Sequence, residues 1–369
     1  MASLFRWVSR VTRRAPWPTK SFSNPRYQLL PESLKIEEET LPYYLSERFY
    51  PVRIGQVLDS RYQVVGKLGY GMTSTVWLAR DLPQSRYVAV KVFVRSASIG
   101  TLADHERDSI RTFLTRNPVG RLPNPVLGIV LQRLFQVLDY LHTECGIIHT
   151  DIKSDNIMFG FQEDSALAEL EQAELDSPSP RKELDGRVIY VSRQIPKPKR
   201  LAPPVLCDFG AAFFGDKLHE KDVQPDQYRC PEVILKVPWS YKIDVWSIGC
   251  MIWDIFEGHN LFRGKDPELG VYRGRAHLAE MIALLGPPPP ELLNRGKLKS
   301  KFFSESGEWQ AGIEPLPPVS LEKLETNLEG ADKELSLQLM GEMLQWAPED
   351  HKTPRELLND PWVAKSLLG

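Results

Sequence analysis

No aspartate or glutamate occurs before Glu32, although Arg6, Arg10, Arg13, Arg14, Lys20 and Arg26 all fall in that stretch. With Leu4, Trp7, Val8 and Val11 on one helical face, an acid-free basic start fits a mitochondrial transit peptide, and a disordered basic tail is the other reading. Either way, residues 1–35 are expected to lie outside the fold. Paired cysteine spacing is missing too. Cys145, Cys207, Cys230 and Cys250 are scattered, which argues against a disulfide framework and a zinc site and for a reducing compartment. Long apolar runs are absent: the richest, Val245–Phe256, is broken by Ser247 and Asp254, short of the ~18–20 residues a membrane span requires. A net charge of −2 excludes a bulk basic nucleic-acid binder. What remains is a soluble chain of 369 residues, 42% apolar, enough for one large domain or two modest lobes.

Several segments carry pattern. Tyr62–Ala79 alternates around Gly69 and Gly71 and reads as a β-hairpin, its glycines letting the backbone approach phosphates where a side chain would collide. Tyr87–Val92 alternates as well and sets Lys91 on one strand face, where a lysine needs an anionic partner. Thr101-Leu102-Ala103-Asp104 reads as a capping box opening a helix that carries Glu106, the candidate partner. Val126–Cys145 has apolar residues at helical spacing and leads into His149-Thr150-Asp151-Ile152-Lys153-Ser154-Asp155-Asn156, bracketed by Ile147-Ile148 and Ile157-Met158 as short strands. Residues 162–202, with acidic Glu163–Glu174 and Ser177-Pro178-Ser179-Pro180, read as an inserted loop or disordered spacer. Then come Val205-Leu206-Cys207-Asp208-Phe209-Gly210, Tyr228-Arg229-Cys230-Pro231-Glu232, and a helix opening at Asp244. Ala276–Leu285 is amphipathic and stops at Gly286-Pro287.

Taken in this order, the glycine turn, strand lysine, H-x-D-x-K-x-x-N loop, Asp-Phe-Gly and Pro-Glu resemble the eukaryotic protein kinases over roughly residues 36–365. The finer resemblance is to the SR-protein kinases, through His149-Thr150-Asp151-Ile152-Lys153, the lead into Tyr50-Pro51-Val52-Arg53-Ile54-Gly55, the spacer before Asp208, and Tyr228–Glu232. The resemblance implies an α+β, bilobal protein-kinase-like fold, with a small β-rich N-lobe at 36–116 and a larger helical C-lobe at 117–365. It implies ATP and Mg²⁺, with Asp151 as base and Lys153 beside it. Asn156 and Asp208 would be metal ligands, and Leu68, Gly69, Gly71, Ser74, Val76, Lys91 and Glu106 would serve the nucleotide. Asp244 is expected to hydrogen-bond the catalytic-loop backbone. The implied partner is a protein substrate, Arg-Ser-rich for SR-protein kinases, met by a monomer with no direct nucleic-acid contact in the cytoplasm or nucleus. Glu37–Glu39 and Glu163–Glu174 could offer docking acids for such a substrate.

Four departures stand out. Ser74 replaces a third glycine, and Thr150 replaces an arginine that would bind a phosphorylated activation loop, so activity is expected not to depend on that modification. His351 replaces the arginine that pairs with Glu232 in the family, which should weaken that pair. Only 60 residues separate Lys91 from Asp151, so two small-lobe strands and the hinge are expected to be missing, leaving an unpaired sheet edge. A catalytically impaired kinase-like binding protein is therefore the alternative to an active kinase, with a small-molecule phosphotransferase a distant third.

Overall fold

Val64 and Trp77 point to one face of the first sheet, Val65 and Leu78 to the other, as the two-residue period of a strand dictates. The computed structural model describes residues 15–72, 74–94, 122–161, 163–196 and 201–367. In chain order it contains strands β1 (Val57–Leu58), β2 (Tyr62–Gly71), β3 (Ser74–Asp81) and β4 (Arg86–Phe93), then helix α1 (Asn124–Thr143) and strands β5 (Ile147–Ile148) and β6 (Ile157–Phe161). Helix α2 (Ser165–Asp176), the hairpin β7 (Arg181–Leu184) and β8 (Arg187–Tyr190), and strands β9 (Leu201–Leu206) and β10 (Phe213–Phe214) follow. Helices α3 (Pro231–Leu235), α4 (Lys242–Glu257), α5 (Gly274–Leu285) and α6 (Gly330–Met343) are followed by two short terminal helices. The chain divides into two units, Met1–Arg107 with Phe161–Leu201, and Asp108–Gly160 with Ala202–Gly369.

The first unit is built on an antiparallel sheet of order β1-β2-β3-β4. Among the described residues no further strand pairs with the outer side of β4. One face is closed by Val52, Val64, Trp77 and Tyr190, the other by Val65, Leu78 and Leu170. Tyr190 comes from β8 and Leu170 from α2. Residues 163–196 are therefore not a structureless spacer, as the polar composition predicted. They supply Tyr190 and Val188 to one sheet face and Leu170, Leu167 and Ile195 to the other, and several of their charges are consumed in ion pairs, among them Arg193–Glu174 at 2.9 Å and Lys182–Glu39 at 2.7 Å.

The basic N-terminal segment is likewise part of the fold from Ala15 onward. The Trp17 amide donates to the Leu82 carbonyl at 2.8 Å, and its ring meets Tyr87 edge-on with centroids 5.0 Å apart. Arg80 donates to the Pro18 carbonyl, Gln63 bonds both backbone groups of Lys20, and Asn24 donates to the carbonyls of Leu175 and Asp176 at the end of α2. Leu30 and Gln28 complete a bridge to Arg181. Apart from Trp17, these contacts go to the segment's polar groups, which leave no hydrophobic period to read.

The second unit buries α4 on nearly all sides: Ile243, Val245, Trp246, Ile248, Cys250, Met251, Ile252, Trp253, Ile255 and Phe256 are all in its core. Gly249 matters there, because a Cβ would come within 2.9 Å of the Leu344 side chain just beyond α6. Helix α1 buries Leu127, Val130, Leu131, Leu134, Phe135, Leu138 and Leu141 on the same core and delivers the chain to β5. No helix among the described residues is long and apolar enough to cross a membrane.

Candidate active site

Thr150 and Asp208 both hold left-handed backbone conformations, with φ of 67° and 66°. For a β-branched threonine that conformation is an outlier that surrounding contacts must impose. They are present. Asp244, fully buried at the start of α4, accepts from the backbone N–H of His149 through Oδ2 and from that of Thr150 through Oδ1, both at 2.8 Å. The Thr150 hydroxyl donates to the Ala211 carbonyl at 2.8 Å, tying the loop to the residues after Asp-Phe-Gly. The expected role of Asp244 therefore has its geometry. His142, which nothing in the sequence singled out, sits 2.9 Å from Asp244 Oδ2 through its Nε2 and completes that carboxylate's environment.

Asp151, Lys153 and Asn156 converge on one carboxylate. Asp151 Oδ2 accepts from Lys153 Nζ at 3.0 Å and from Asn156 Nδ2 at 2.9 Å, and Asn156 also donates to the Asp151 carbonyl at 2.7 Å. Both contacts fall on Oδ2, so Oδ1 is the oxygen left to meet a hydroxyl. Beneath them His149 is fully buried, its Nε2 3.0 Å from the Cys207 carbonyl and its ring against Phe209. The Cys207 amide donates to the Asn156 carbonyl at 2.8 Å, which places Asp208 next in the chain to that contact.

This donor set fits Mg²⁺. Asn156 spends its amide N–H groups on Asp151, so its carbonyl oxygen is the atom presented to a ligand. Asp208 adds a carboxylate whose Oδ1 accepts from the Gly210 amide at 3.3 Å. Among the described residues no cluster of three or more His, Cys, Asp or Glu could cage a metal. Two hard oxygen donors suit an ion that keeps its remaining positions for water and phosphate.

In the first unit, the residues expected to serve the nucleotide fall in register. Gly69 pairs with Val76, Val76 with Lys91, and Gly71 with Ser74. Gly69, Val76 and Lys91 thus stand side by side on three strands, and Leu68 is the extra residue where the β2 register shifts between Lys67 and Gly69. Lys91 is half-buried, its ammonium 5.4 Å from the Phe93 ring centroid. Glu106 and the capping box at Thr101 lie outside the described residues.

Two expectations are corrected. Glu37, Glu38 and Glu39 do not offer themselves to a substrate: Glu37 accepts from Ser192, Glu38 pairs with Lys67, and Glu39 pairs with Lys182. Glu171 and Glu174 are also buried and internally paired. The Glu232–His351 pair is absent rather than weakened. His351 Nε2 lies 2.9 Å from the Gln345 carbonyl, while neither Glu232 oxygen has a hydrogen-bond partner among the described residues.

Burial, reinforced by the charge of Glu349, pushes Glu232 from its ordinary 4.5 up to about 7. A carboxyl with a raised folded pKa holds a proton that the unfolded chain releases, so its contribution is fully present below pH 4.5 and is lost as pH rises through about 7. Glu232→Gln is expected to raise stability at pH 8 by roughly 3 kcal/mol, with the gain falling to about 1 kcal/mol or less at pH 5. Urea denaturation at the two pH values checks this; an equal gain at both would show that ionisation is not the source.

Comparison with known proteins gives this geometry its context. The protein kinase domain family matches residues 104–363. A serine/threonine protein kinase of Aspergillus fumigatus is 38% identical over 97% of this chain and 98% of its own length. The serine/threonine-protein kinase SRPK of Physarum polycephalum is 32% identical over 89% of this chain and 92% of its own. A kinase domain of known crystal structure, 22% identical, superposes with a TM-score of 0.62 and covers 86% of this chain and 99% of the other. With its catalytic loop strained over a buried aspartate and these relatives along its length, the chain belongs to the protein kinases, as a serine/threonine kinase of the SR-protein kinase family.

Proposed function

We propose that this kinase transfers the γ-phosphate of ATP to serine or threonine hydroxyls, in proteins rich in Arg-Ser dipeptides. The observation that carries the reading is the carboxylate of Asp151, fixed through Oδ2 by Lys153 and Asn156 with Oδ1 left over. Asp151 accepts the proton of the substrate hydroxyl as its oxygen attacks phosphorus. Lys153, 3.0 Å from that carboxylate, offsets charge on the phosphoryl group in this reading. Asn156 and Asp208 hold Mg²⁺, which when bound neutralises phosphate charge. The backbone of Gly69–Gly71 and the Lys91 ammonium take the phosphates in the first unit. Arg-Ser preference rests on the resemblance to SR-protein kinases, and the acidic groups serving it lie elsewhere than Glu37–Glu39. A cytoplasmic or nuclear location is the reading that family resemblance supports, and the use of residues 15–30 inside the first unit argues against a leader cleaved at residue 31. Transfer of labelled γ-phosphate to an Arg-Ser repeat peptide, against Asp151→Ala, tests the reading. Equal counts in both, with no Mg-ATP stabilisation on heating, would favour the binding-protein alternative.

Composition and packing together support activity independent of activation-segment phosphorylation. Between Asp208 and Glu232 there is no serine or threonine, and the single tyrosine, Tyr228, is buried with its hydroxyl donating to Asp254 at 2.5 Å. The segment is held instead by β10 pairing with β5, by the Gly215 amide on the Gly146 carbonyl at 2.7 Å, and by paired backbone bonds between His219 and Trp239. Phosphatase treatment is expected to leave the rate within about twofold of the untreated enzyme. A tenfold loss in the same assay would contradict it.

A further inference from the structure

Lys67 stands in β2 two residues before Gly69, and its side chain is completely buried. A lysine there must be paired, and it has two partners: Glu38, in direct contact, and Glu37 at 3.4 Å. Both carboxylates are themselves almost buried. Glu37 is fixed by the Ser192 amide at 2.9 Å and the Ser192 hydroxyl at 2.6 Å. The Lys67 carbonyl is held as well, accepting from the Arg193 amide at 2.8 Å. Side chain and backbone of this one residue are therefore clamped to two segments outside the sheet, the acidic run and the end of the insertion. The next residue, Leu68, marks the register shift before Gly69 and packs beside Val65, Leu78 and Leu170, with Ile195 in the same cluster. The Lys67 ammonium also lies 5.3 Å from the ring centroid of Tyr70, inside the glycine turn.

An apolar residue at position 67 would hold a strand as well or better, since a buried ion pair repays little of its desolvation cost. What a charged pair adds is a single admissible register. We infer that Lys67 is a positioning residue for the glycine turn: its pairing with Glu38 and Glu37, and the Arg193 amide on its carbonyl, set the height at which the Gly69–Gly71 backbone meets a nucleotide triphosphate. The inference rests on the proposed ATP reading. Under it, the insertion and the acidic run act on nucleotide affinity, while phosphoryl transfer is left to Asp151.

The test is the split between KM and kcat in a charge-neutral double variant, Lys67→Met with Glu38→Gln, which removes both charges of the closer pair and leaves Glu37 held by its two Ser192 bonds. KM for ATP is expected to rise about tenfold, with kcat within about twofold, because a misplaced cradle weakens binding before and during transfer alike. A folded double variant with unchanged KM for ATP overturns the positioning role. Should the double variant melt out, Lys67→Arg keeps the charge in a different shape, and a KM rise of about threefold at unchanged kcat is expected; no rise overturns the inference. A wild-type chain that shows no Mg-ATP stabilisation overturns the ATP reading and this inference together, whereas a responsive wild type with an unresponsive KM overturns the positioning role alone.

Discussion

Asp151→Asn is expected to lower kcat by roughly 10²–10⁴-fold, the range typical for loss of a positioned general base, with KM for ATP and the melting temperature nearly unchanged. The small structural cost follows from where Asp151 makes its contacts. Its carboxylate is partly exposed and accepts from Lys153 and Asn156 on Oδ2 alone, so an amide oxygen in the same place keeps both bonds. Loop strain is untouched too, because Thr150 at φ 67° is held by Asp244 and Ala211 rather than by Asp151. What the amide lacks is a site for the hydroxyl proton. Single-turnover phosphate transfer separates this from a binding defect, and a variant that keeps more than about a tenth of the rate would remove Asp151 from the role of proton acceptor.

The parts of the site that could be read from sequence are those whose chemistry demands neighbours in the chain. Asp151, Lys153 and Asn156 meet because two- and five-residue offsets in a tight turn bring them together, and Gly69, Val76 and Lys91 align because adjacent strands share a register. Asp244 was legible as an acid opening an apolar helix. His142 was not, since its contact to Asp244 spans 102 residues and its own helix shows it only as a polar position near the end. The insertion departs from its expected spacer character for a related reason. Its stabilising groups are Glu171, Glu174, Lys182 and Arg193, which in a sequence look like solvated charges, and its apolar share is a few residues such as Leu170 and Tyr190. A charge run is usually surface, and here tertiary pairing overrode that expectation.

The largest stability effect should come from the segment that composition placed outside the fold. A chain starting at Glu32 is expected to lose on the order of 5 kcal/mol relative to one starting at Ala15, so that only described residues differ. Several buried groups would each lose a partner. Gln63 would lose both backbone bonds to Lys20; Arg80 would lose the Pro18 carbonyl and the Trp17 ring, whose centroid lies 4.9 Å from its guanidinium; and Glu171 would lose Lys20. All three side chains are buried, and a lost partner at a buried polar group costs about 1–3 kcal/mol each. The backbone of Arg181, in the hairpin that closes one sheet face, would be stripped of Gln28 and Leu30 as well. Such a loss approaches the whole stability of a typical domain, so the first unit should unfold well before the second and become sensitive to protease within 163–196. Limited proteolysis and a two-step melt of the shorter chain are the readouts. Cooperative melting near the temperature of the longer chain would show that residues 15–31 decorate the first unit rather than hold it.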